Sequence, residues 1–379
     1  MHPRVKKIIL IGITALFLLV ALLVGRAIVL NKVKEKVQEK LDALNKTGYH
    51  IQYDTIYLDW RRNLMVIEKF VIQKNAYDTA CIYPEFLSAD QVRLKGFRLF
   101  TLLFKNTLSF ESFIINDPHL MLRKHSSLLP DSTGAPKKAF ALIVDEVRLI
   151  SAHVEYADSA CNLLTDIEAD IQITELDMAQ PLHEPIRVSS NQLTFFNAAI
   201  KLPNAYYHLN ILELRWNFTN KTLELDTMRI TPQLSKVAFG RTVGREIDRI
   251  EGVIPFIKLR HCDITLRDSV SFRARHGSVQ GFMKFFRDKR LVHKRIWKPL
   301  PVAHLRRLPF GLRIDTLTIA KSYVEYEEVP EENHVSGSIF FDDLTGRITS
   351  IDNDPKLRAG ETIVGASARF MGGGELSVD

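Results

Sequence analysis

The sequence contains few cysteines. Its 379 residues include three, Cys81, Cys161 and Cys262, which lie far apart and form no CxxC pair. A sparse and odd number of cysteines argues against both a disulfide framework and a cysteine-rich zinc site. The length suggests two domains or one elongated domain with ample apolar core.

The sequence also lacks the common catalytic and nucleotide-binding signatures. It contains no HExxH, GxSxG, GxGxxG or GxxxxGK[ST] motif. We therefore expect a protein that is not an enzyme, with no catalytic residues and no cofactor.

One dense cluster of metal-ligating residue types is His261-Cys262-Asp263. Side chains alternate between the two faces of a β-strand, so His261 and Asp263 share one face while Cys262 points to the other. This arrangement disfavours a shared metal ion, and we expect no metal site here.

Two further sets of polar residues were weighed as ligands. Asp166, Glu168 and Asp170 alternate with apolar residues and fall on one strand face. They could chelate calcium, although a solvated strand face explains them equally well. His119 and His153 are interpreted as surface histidines. No metal site is expected from either set.

A repeated strand-rich stretch organises the chain. Residues 140–156 (FALIVDEVRLISAHVEY) and 310–326 (FGLRIDTLTIAKSYVEY) are identical at six positions. The shared apolar positions are Leu142, Val144, Val147, Leu149, Val154 and Tyr156 in one copy and Leu312, Ile314, Leu317, Ile319, Val324 and Tyr326 in the other. Each copy alternates with a period of two, which predicts strands with one apolar face and one wet face.

The same apolar spacing occurs twice more. It starts at Leu108 in one place and, with Gly252 in its first position, around residues 254–266 in another. The unequal distances between the copies exclude a regular solenoid, which keeps a fixed period. Within the main copies the alternation shifts phase after Val144 and Ile314, which predicts a bulge or kink.

Positive charge is concentrated in one segment. The whole chain has a net charge of +7, yet residues 284–313 contain ten Lys or Arg residues against Asp288 alone. The candidate basic patch consists of Lys284, Arg287, Lys289, Arg290, Lys294, Arg295, Lys298, Arg306 and Arg307. Aromatic residues lie between them, a combination that suits anionic lipid headgroups. A solvated connector remains the alternative, and nucleic acid is not expected as a partner.

The N-terminus predicts a membrane anchor. Residues 8–25 form an uncharged run of 18 residues, and the apolar stretch continues to Leu30, long enough for a helix to cross a bilayer. An amphipathic helix is predicted over residues 31–46. A short N-terminal tail before a long β-rich body favours a body outside the cytoplasm.

The predicted fold class is mainly β: a transmembrane helix and a short amphipathic helix precede an elongated, twisted antiparallel sheet or groove of repeated strand units. Residues 211–218 and 223–230 predict a hairpin, and residues 237–250 a short helix. The predicted segments are an anchor at 1–30, a helix and first β segment at 31–125, a loop at 126–138, a second β segment at 139–283, a basic connector at 284–309 and a third β segment at 310–379. The last segment ends as if inside a strand, so we expect a longer natural chain.

The architecture resembles the AsmA-like family of bacterial envelope proteins, whose members include TamB and YhdP. The resemblance rests on the anchor RVKKIILIGITALFLLVALLVGRAIVL, the stretch KVKEKVQEKLDALNKTGYHIQYDTIYLDW and the phrases SFESFIINDPHLMLRK and FGLRIDTLTIAKSYVEYEE. It implies a single-pass anchor in the bacterial inner membrane and a periplasmic β-groove that transports phospholipids or supports outer-membrane biogenesis. This chain is shorter than one that would bridge a periplasm.

Two functions follow from these observations. In the first, the twelve shared apolar positions of the repeat line a groove that binds the acyl chains of membrane lipids. In the second, the sheet is closed, and the protein is a membrane-tethered adaptor whose basic patch binds another envelope protein or the bilayer surface.

Overall fold

A computed structural model of the chain describes residues 49–378, with gaps at 60, 75–85, 99–100, 102–106, 124–139, 159–161, 181–186, 202–205, 267–269, 292–310, 333–334 and 354–361. Within these ranges no helix is both long enough and apolar enough to span a membrane. The predicted anchor (1–30), the predicted amphipathic helix (31–46) and the loop at 126–138 lie outside the described residues.

The described chain is mainly β, as predicted, and it divides into two compact units. The first unit comprises Met1–Ala152, Ala157–Asn162 and Leu176–Ser189. Its strands are β1 (Tyr49–Gln52), β2 (Thr55–Asp59), β3 (Leu64–Lys74), β4 (Phe86–Lys95), β5 (Thr107–Asn116), β6 (His119–Arg123), most of β7 (Phe140–Ala157), the end of β8 (Leu163–Gln180) and β9 (Arg187–Ser189).

The second unit comprises His153–Tyr156, Leu163–Glu175 and Ser190–Asp379. It contains short portions of β7 and β8 and one helix, α1 (Lys236–Val243). Its remaining strands are β10 (Gln192–Lys201), β11 (Tyr207–Asn217), β12 (Thr222–Pro232), β13 (Arg249–Arg260), β14 (Asp263–Leu266), β15 (Val270–Asp288), β16 (Gly311–Val329), β17 (Gly337–Asp352), β18 (Ile363–Phe370) and β19 (Gly374–Val378).

Strand pairing is mixed, which corrects the prediction of an antiparallel sheet. The predicted hairpin is confirmed as β11 and β12, and most neighbouring strands are antiparallel. Strands β5 and β7 run parallel, however, and so do β15 and β16. Parallel neighbours need a crossover connection of about a dozen residues or more. The segments at 124–139 and 289–310 supply this length, and β7 and β16 are the two repeated stretches.

The parallel register of β5 and β7 follows the repeat. Leu108 lies opposite Leu142, and Phe110 lies opposite Val144. The register is unchanged beyond Val144, so the phase change there is shared by both strands and is not an extra residue inserted in one of them. In β16 the pairing with β17 first shifts between Ile319 and Ser322.

Several strands contain a residue with positive φ, and these residues keep the apolar side chains on one side. Asn197 in β10, Thr227 in β12 and Asp343 in β17 have φ angles of 51°, 43° and 49°. In β12 the side-chain alternation changes phase between Leu225 and Met228, and both residues pack in the same hydrophobic cluster. A residue with positive φ at such a point resets the alternation, so that the apolar residues on either side of it share a face.

The boundaries of the predicted segments differ from those of the units. Strand β15 continues to Asp288, so the proposed boundary at 283 lies inside a strand. The helix predicted at 237–250 ends at Val243, where Gly244 takes a left-handed conformation and donates its backbone N–H to the Gly240 carbonyl. Glycine supports this C-terminal cap because it has no Cβ to clash.

Candidate apolar trough

The second unit has one apolar sheet face, called the inner face here. Strand register and alternation place these residues on it. They are Ile167, Ile171 and Ile173 of β8, Leu193, Phe195 and Ile200 of β10, Leu209, Ile211, Leu214 and Trp216 of β11, Leu223, Leu225, Met228 and Ile230 of β12, Ile254, Ile257 and Leu259 of β13, Phe272, Val279, Met283 and Phe285 of β15, the predicted residues of β16, Ile339, Phe341 and Ile348 of β17, Val364 and Phe370 of β18, and Leu376 and Val378 of β19.

The opposite face, called the outer face, is polar along the rows near Arg260 and carries an aromatic group of Phe282, Tyr323 and Phe340 toward the other strand ends. Neighbouring rows run Glu224, Lys258 and Ser278, then Thr318 and Arg347, across β12, β13, β15, β16 and β17. A sheet with one polar face needs no cover on that side, because water satisfies its side chains. Water does not satisfy the apolar side chains of the inner face. Other protein atoms or a ligand must cover these side chains to remove them from water.

The inner face of the second unit is buried in β11–β13 and more exposed in β17–β19. Ile211, Leu225 and Leu259 are each 8% exposed. Ile339, Val364 and Leu376 are 42%, 44% and 49% exposed. Within the described residues, every extensive contact between elements joins neighbouring strands, and no second sheet or helix packs across the face. The exposed part of the inner face, in β17–β19, is therefore an apolar surface larger than a scatter of single residues.

This face is concave around Trp216. The rings of Trp216 in β11 and Phe272 in β15 have centroids 6.2 Å apart, although β12 and β13 lie between these strands. In a flat sheet, three strand spacings would separate the backbones of β11 and β15 by roughly 14 Å. The second unit therefore forms a trough here, with small or aliphatic residues at its base, such as Ala274 and Leu259.

Helix α1 lies at the other end of these strands. Ser235 caps its N-terminus through a hydrogen bond from the Ala238 N–H. Phe239 is 2% exposed and packs edge-on against Tyr207, and the Tyr207 hydroxyl accepts a hydrogen bond from the Ile250 N–H. The helix therefore closes the end of the trough at which β11 begins.

The six predicted groove residues of β16 all lie on the inner face and are partly exposed. In β7, Val154 and Tyr156 belong to the second unit and are also partly exposed. The remaining four predicted residues belong to the first unit.

In the first unit, two of the predicted groove residues are buried. Val144 and Val147 are 0% and 4% exposed, so they do not line an open surface, and Leu142 and Leu149 are half-buried. The core of this unit consists of Ile56, Met65, Ile67, Ala89, Val92 and Ile115, each at most 8% exposed. Here the prediction of accessible groove residues is wrong for the two valines, because periodicity shows which face is apolar but not how tightly that face is covered.

The described part of the basic patch is paired with carboxylates. The Lys284 ammonium lies 2.9 Å from Glu325, and the Lys289 ammonium lies 2.6 Å from Glu328. The Arg290 guanidinium lies 2.7 Å from Asp288. Lys294, Arg295, Lys298, Arg306 and Arg307 lie outside the described residues. The sequence suggested an excess of charge because the acidic partners of Lys284 and Lys289 come from β16, distant in the sequence.

Arg287 is the most buried of the four patch residues that the structure describes, with 15% of its side chain exposed. Its guanidinium donates two hydrogen bonds of 2.6 Å to Asp248 and lies 3.5 Å from Glu246, which is 6% exposed. It also stacks over the Tyr326 ring at 5.8 Å. Arg287 thus joins the end of β15 to the segment that precedes β13 and is unavailable to an external anion.

These pairs shift several pKa values. Hydrogen bonds from Lys284 and Lys289 hold the pKa values of Glu325 and Glu328 below their ordinary value of 4.5. Burial raises the pKa of Tyr326 to about 12. At neutral pH both carboxylates are charged and the phenol is neutral, so the network is fully formed.

The other polar candidates have structural partners. Cys262 is 3% exposed, while His261 and Asp263 are exposed, as the alternation predicts. The Asp263 carboxylate pairs with Lys221 at 2.6 Å, and burial raises the pKa of the Cys262 thiol.

The carboxylates of β8 are also engaged. Lys201 lies 3.3 Å from Asp166 and 2.8 Å from Glu168. His153 contacts Asp166 at 2.8 Å, and His119 packs edge-on against Phe86. The contacts with Lys201 and His153 place Asp166 and Glu168 in ion pairs on a polar strand face.

Sequence reasoning missed much of the trough lining. Trp216 and Phe272 define its concave part, and neither was proposed as a site residue. The available signal was their alternation with polar residues, which marks a face but does not show that strands three steps apart converge. No protein-family model matches this sequence, and no curated protein matches it either, so its function has to be inferred from the trough itself.

Proposed function

We propose that this chain is a membrane-anchored, AsmA-like protein of the bacterial envelope whose apolar trough binds phospholipid acyl chains. The single observation that carries this proposal is the apolar inner face of the second unit, which continues from β8 to β19 and is partly exposed, most of all in β17–β19. An acyl chain laid on this face would leave water, and each buried CH₂ group contributes about 0.8 kcal/mol.

The trough suits a chain-like apolar ligand better than a compact one. Its lining is aliphatic and aromatic, it spans many strands, and it has few polar groups that would orient a small molecule. A lipid could keep its headgroup in water while its acyl chains contact the strands.

The rest of the proposal follows the resemblance. The apolar run at 8–25 would anchor the chain in the inner membrane with its body in the periplasm. The protein would act by binding and passing on lipids during transport or outer-membrane biogenesis, with no catalytic step. The adaptor alternative is less well supported, because the described residues of the basic patch are ion-paired.

The test is native mass spectrometry and lipid extraction on the full chain purified in mild detergent. We expect phospholipid to copurify with the protein and to be lost from the Val324→Asp variant, which places a charge in the trough. The matched control is Thr318→Asp, an outer-face change in the same strand. Circular dichroism verifies that both variants fold. A folded protein free of lipid would contradict the proposal.

A further inference from the structure

A second cationic surface, absent from the sequence-based candidates, lies on the outer face of the second unit. It consists of Lys258 and Arg260 of β13, Arg273 and Arg275 of β15, and Arg347 of β17. All five side chains are exposed. We call these five residues the outer cationic surface.

Strand register brings these residues together. Lys258, Ser278, Thr318 and Arg347 form one row across four adjacent strands, and Arg260 lies directly opposite His276 in the next row. Rows on one face of a sheet are separated by two residues, about 7 Å along the strand. The hydroxyl groups of Ser278 and Thr318 lie between Lys258 and Arg347. Glu224 lies opposite Lys258, and Asp263 lies opposite Arg273.

None of the five cations has an acidic partner within the described residues. The nearby acids are paired with other cations: Glu224 with Arg215, Asp263 with Lys221 and Asp315 with Arg313. In the basic patch, by contrast, each cation that the structure describes has a carboxylate partner within 3 Å. Unpaired exposed cations on one surface create a positive potential that extends about a Debye length into solution.

We propose that the outer cationic surface docks this end of the sheet on an anionic bilayer surface. Charge complementarity favours lipid headgroups, because the five cations are spread over three strands, β13, β15 and β17. The Ser278 and Thr318 hydroxyl groups lie among them. A single small anion would need convergent side chains, whereas cations on the outer side of a sheet that curves toward its inner face diverge.

The outer cationic surface lies close to the concave end of the trough. Arg260 is the last residue of β13, and Arg273 lies near the start of β15, beside the inner-face residue Phe272. The cations therefore lie near the strand ends at which Trp216 and Phe272 form the concave part of the trough. Docking there would bring the concave end of the trough close to membrane lipids. This consequence rests on the proposed lipid-binding function, whereas docking itself does not.

The experiment is a vesicle-capture assay with the full chain. The protein is reconstituted into phosphatidylcholine vesicles, and capture of fluorescent vesicles containing about 30 mol% phosphatidylglycerol is compared with capture of pure phosphatidylcholine vesicles. We expect capture of the anionic vesicles only, falling steeply with salt. Each cation removed should weaken capture roughly fivefold.

The decisive variant is Lys258→Glu with Arg260→Glu, which should abolish capture. The matched control is Arg229→Glu with Arg245→Glu, two exposed arginines of the same unit outside the outer cationic surface, and it should retain capture. Equal loss in both variants would show a general charge effect and overturn the proposal. Capture lost to added glycerol 3-phosphate at constant ionic strength, or capture of duplex DNA without capture of anionic vesicles, would also overturn it.

Lipid copurification distinguishes the docking proposal from the proposed binding of lipid in the trough. The Lys258→Glu, Arg260→Glu variant should still copurify phospholipid, since its changes lie on the outer face. Val324→Asp should lose the copurified lipid and still capture anionic vesicles. Failure of docking alone and failure of lipid binding alone therefore give different results.

Discussion

Trp216 and Phe272 meet edge-on with ring centroids 6.2 Å apart, although two strands lie between theirs. The contact requires the sheet to curve toward its apolar face. Curvature reduces the water-exposed area of a one-sided sheet without covering it completely. The trough is thus a consequence of the sequence pattern, since strands with one apolar face lower their free energy by curling around it.

Arg287 should contribute more to stability than its exposed neighbour Lys284. Arg287→Ala would leave Asp248 and Glu246 without the guanidinium that lies between them, and we expect a loss of about 3 kcal/mol in the free energy of unfolding. Lys284→Ala breaks an ion pair in which the lysine side chain is 63% exposed, and we expect a loss of at most about 1 kcal/mol. Denaturant unfolding of both variants measures this difference; equal losses would contradict it.

Gly252 should not tolerate a side chain. It occupies the position at which the sequence repeat lacks an apolar residue, and an added Cβ would lie 2.4 Å from the Met283 sulfur and 2.8 Å from the Phe282 carbonyl oxygen. The backbone carbonyl cannot swing away, so we expect Gly252→Ala to cost about 1–3 kcal/mol.

The control for this substitution is Gly373→Ala. No atom lies within 4 Å of a Cβ placed at Gly373, and its φ is not in the left-handed region. Thermal unfolding should show a clear decrease for Gly252→Ala and little change for Gly373→Ala. Unchanged stability of the Gly252 variant would show that β13 and β15 are not packed as described.

Acid should weaken the ion-paired end of β15 and β16. The pKa values of Glu325 and Glu328 are lower in the folded protein than their ordinary value of 4.5, so the unfolded chain binds protons first as the pH falls. Their stabilising contribution is present above pH 4.5 and is lost as the pH drops through the folded values. The Glu325→Gln, Glu328→Gln variant should therefore be less stable than the unsubstituted protein at pH 7.

The difference between the two proteins should shrink as the pH falls below 4.5. Free energies of unfolding measured by denaturant titration across this range provide the comparison. A difference that stays constant with pH would mean that the two carboxylates do not titrate differently in the folded and unfolded states.

The sequence predicted the faces of the strands well and their neighbours poorly. Alternation placed Leu317 and Ile319 on one face, and the register confirms this. It could not show that β16 runs parallel to β15, because direction depends on a connection of about twenty residues that has no periodic signal of its own.

Charge was harder to predict than apolarity. The basic run at 284–290 looked unpaired, yet its partners Glu325 and Glu328 approach only through the register of β15 and β16. Conversely, Lys258, Arg273 and Arg347 are scattered along the sequence, and their common surface exists only after the strands pair. A linear count of charge misses both effects, since cancellation and clustering occur between strands.

Site-specific photo-crosslinking tests the trough most directly. A photoreactive amino acid replaces Leu317, on the inner face, or Thr318, its neighbour on the outer face, in the full chain in a phospholipid membrane. Illumination should attach phospholipid to the protein labelled at position 317 and not to the protein labelled at position 318. Equal labelling at both positions, or labelling at 318 alone, would contradict a lipid-binding trough on the inner face.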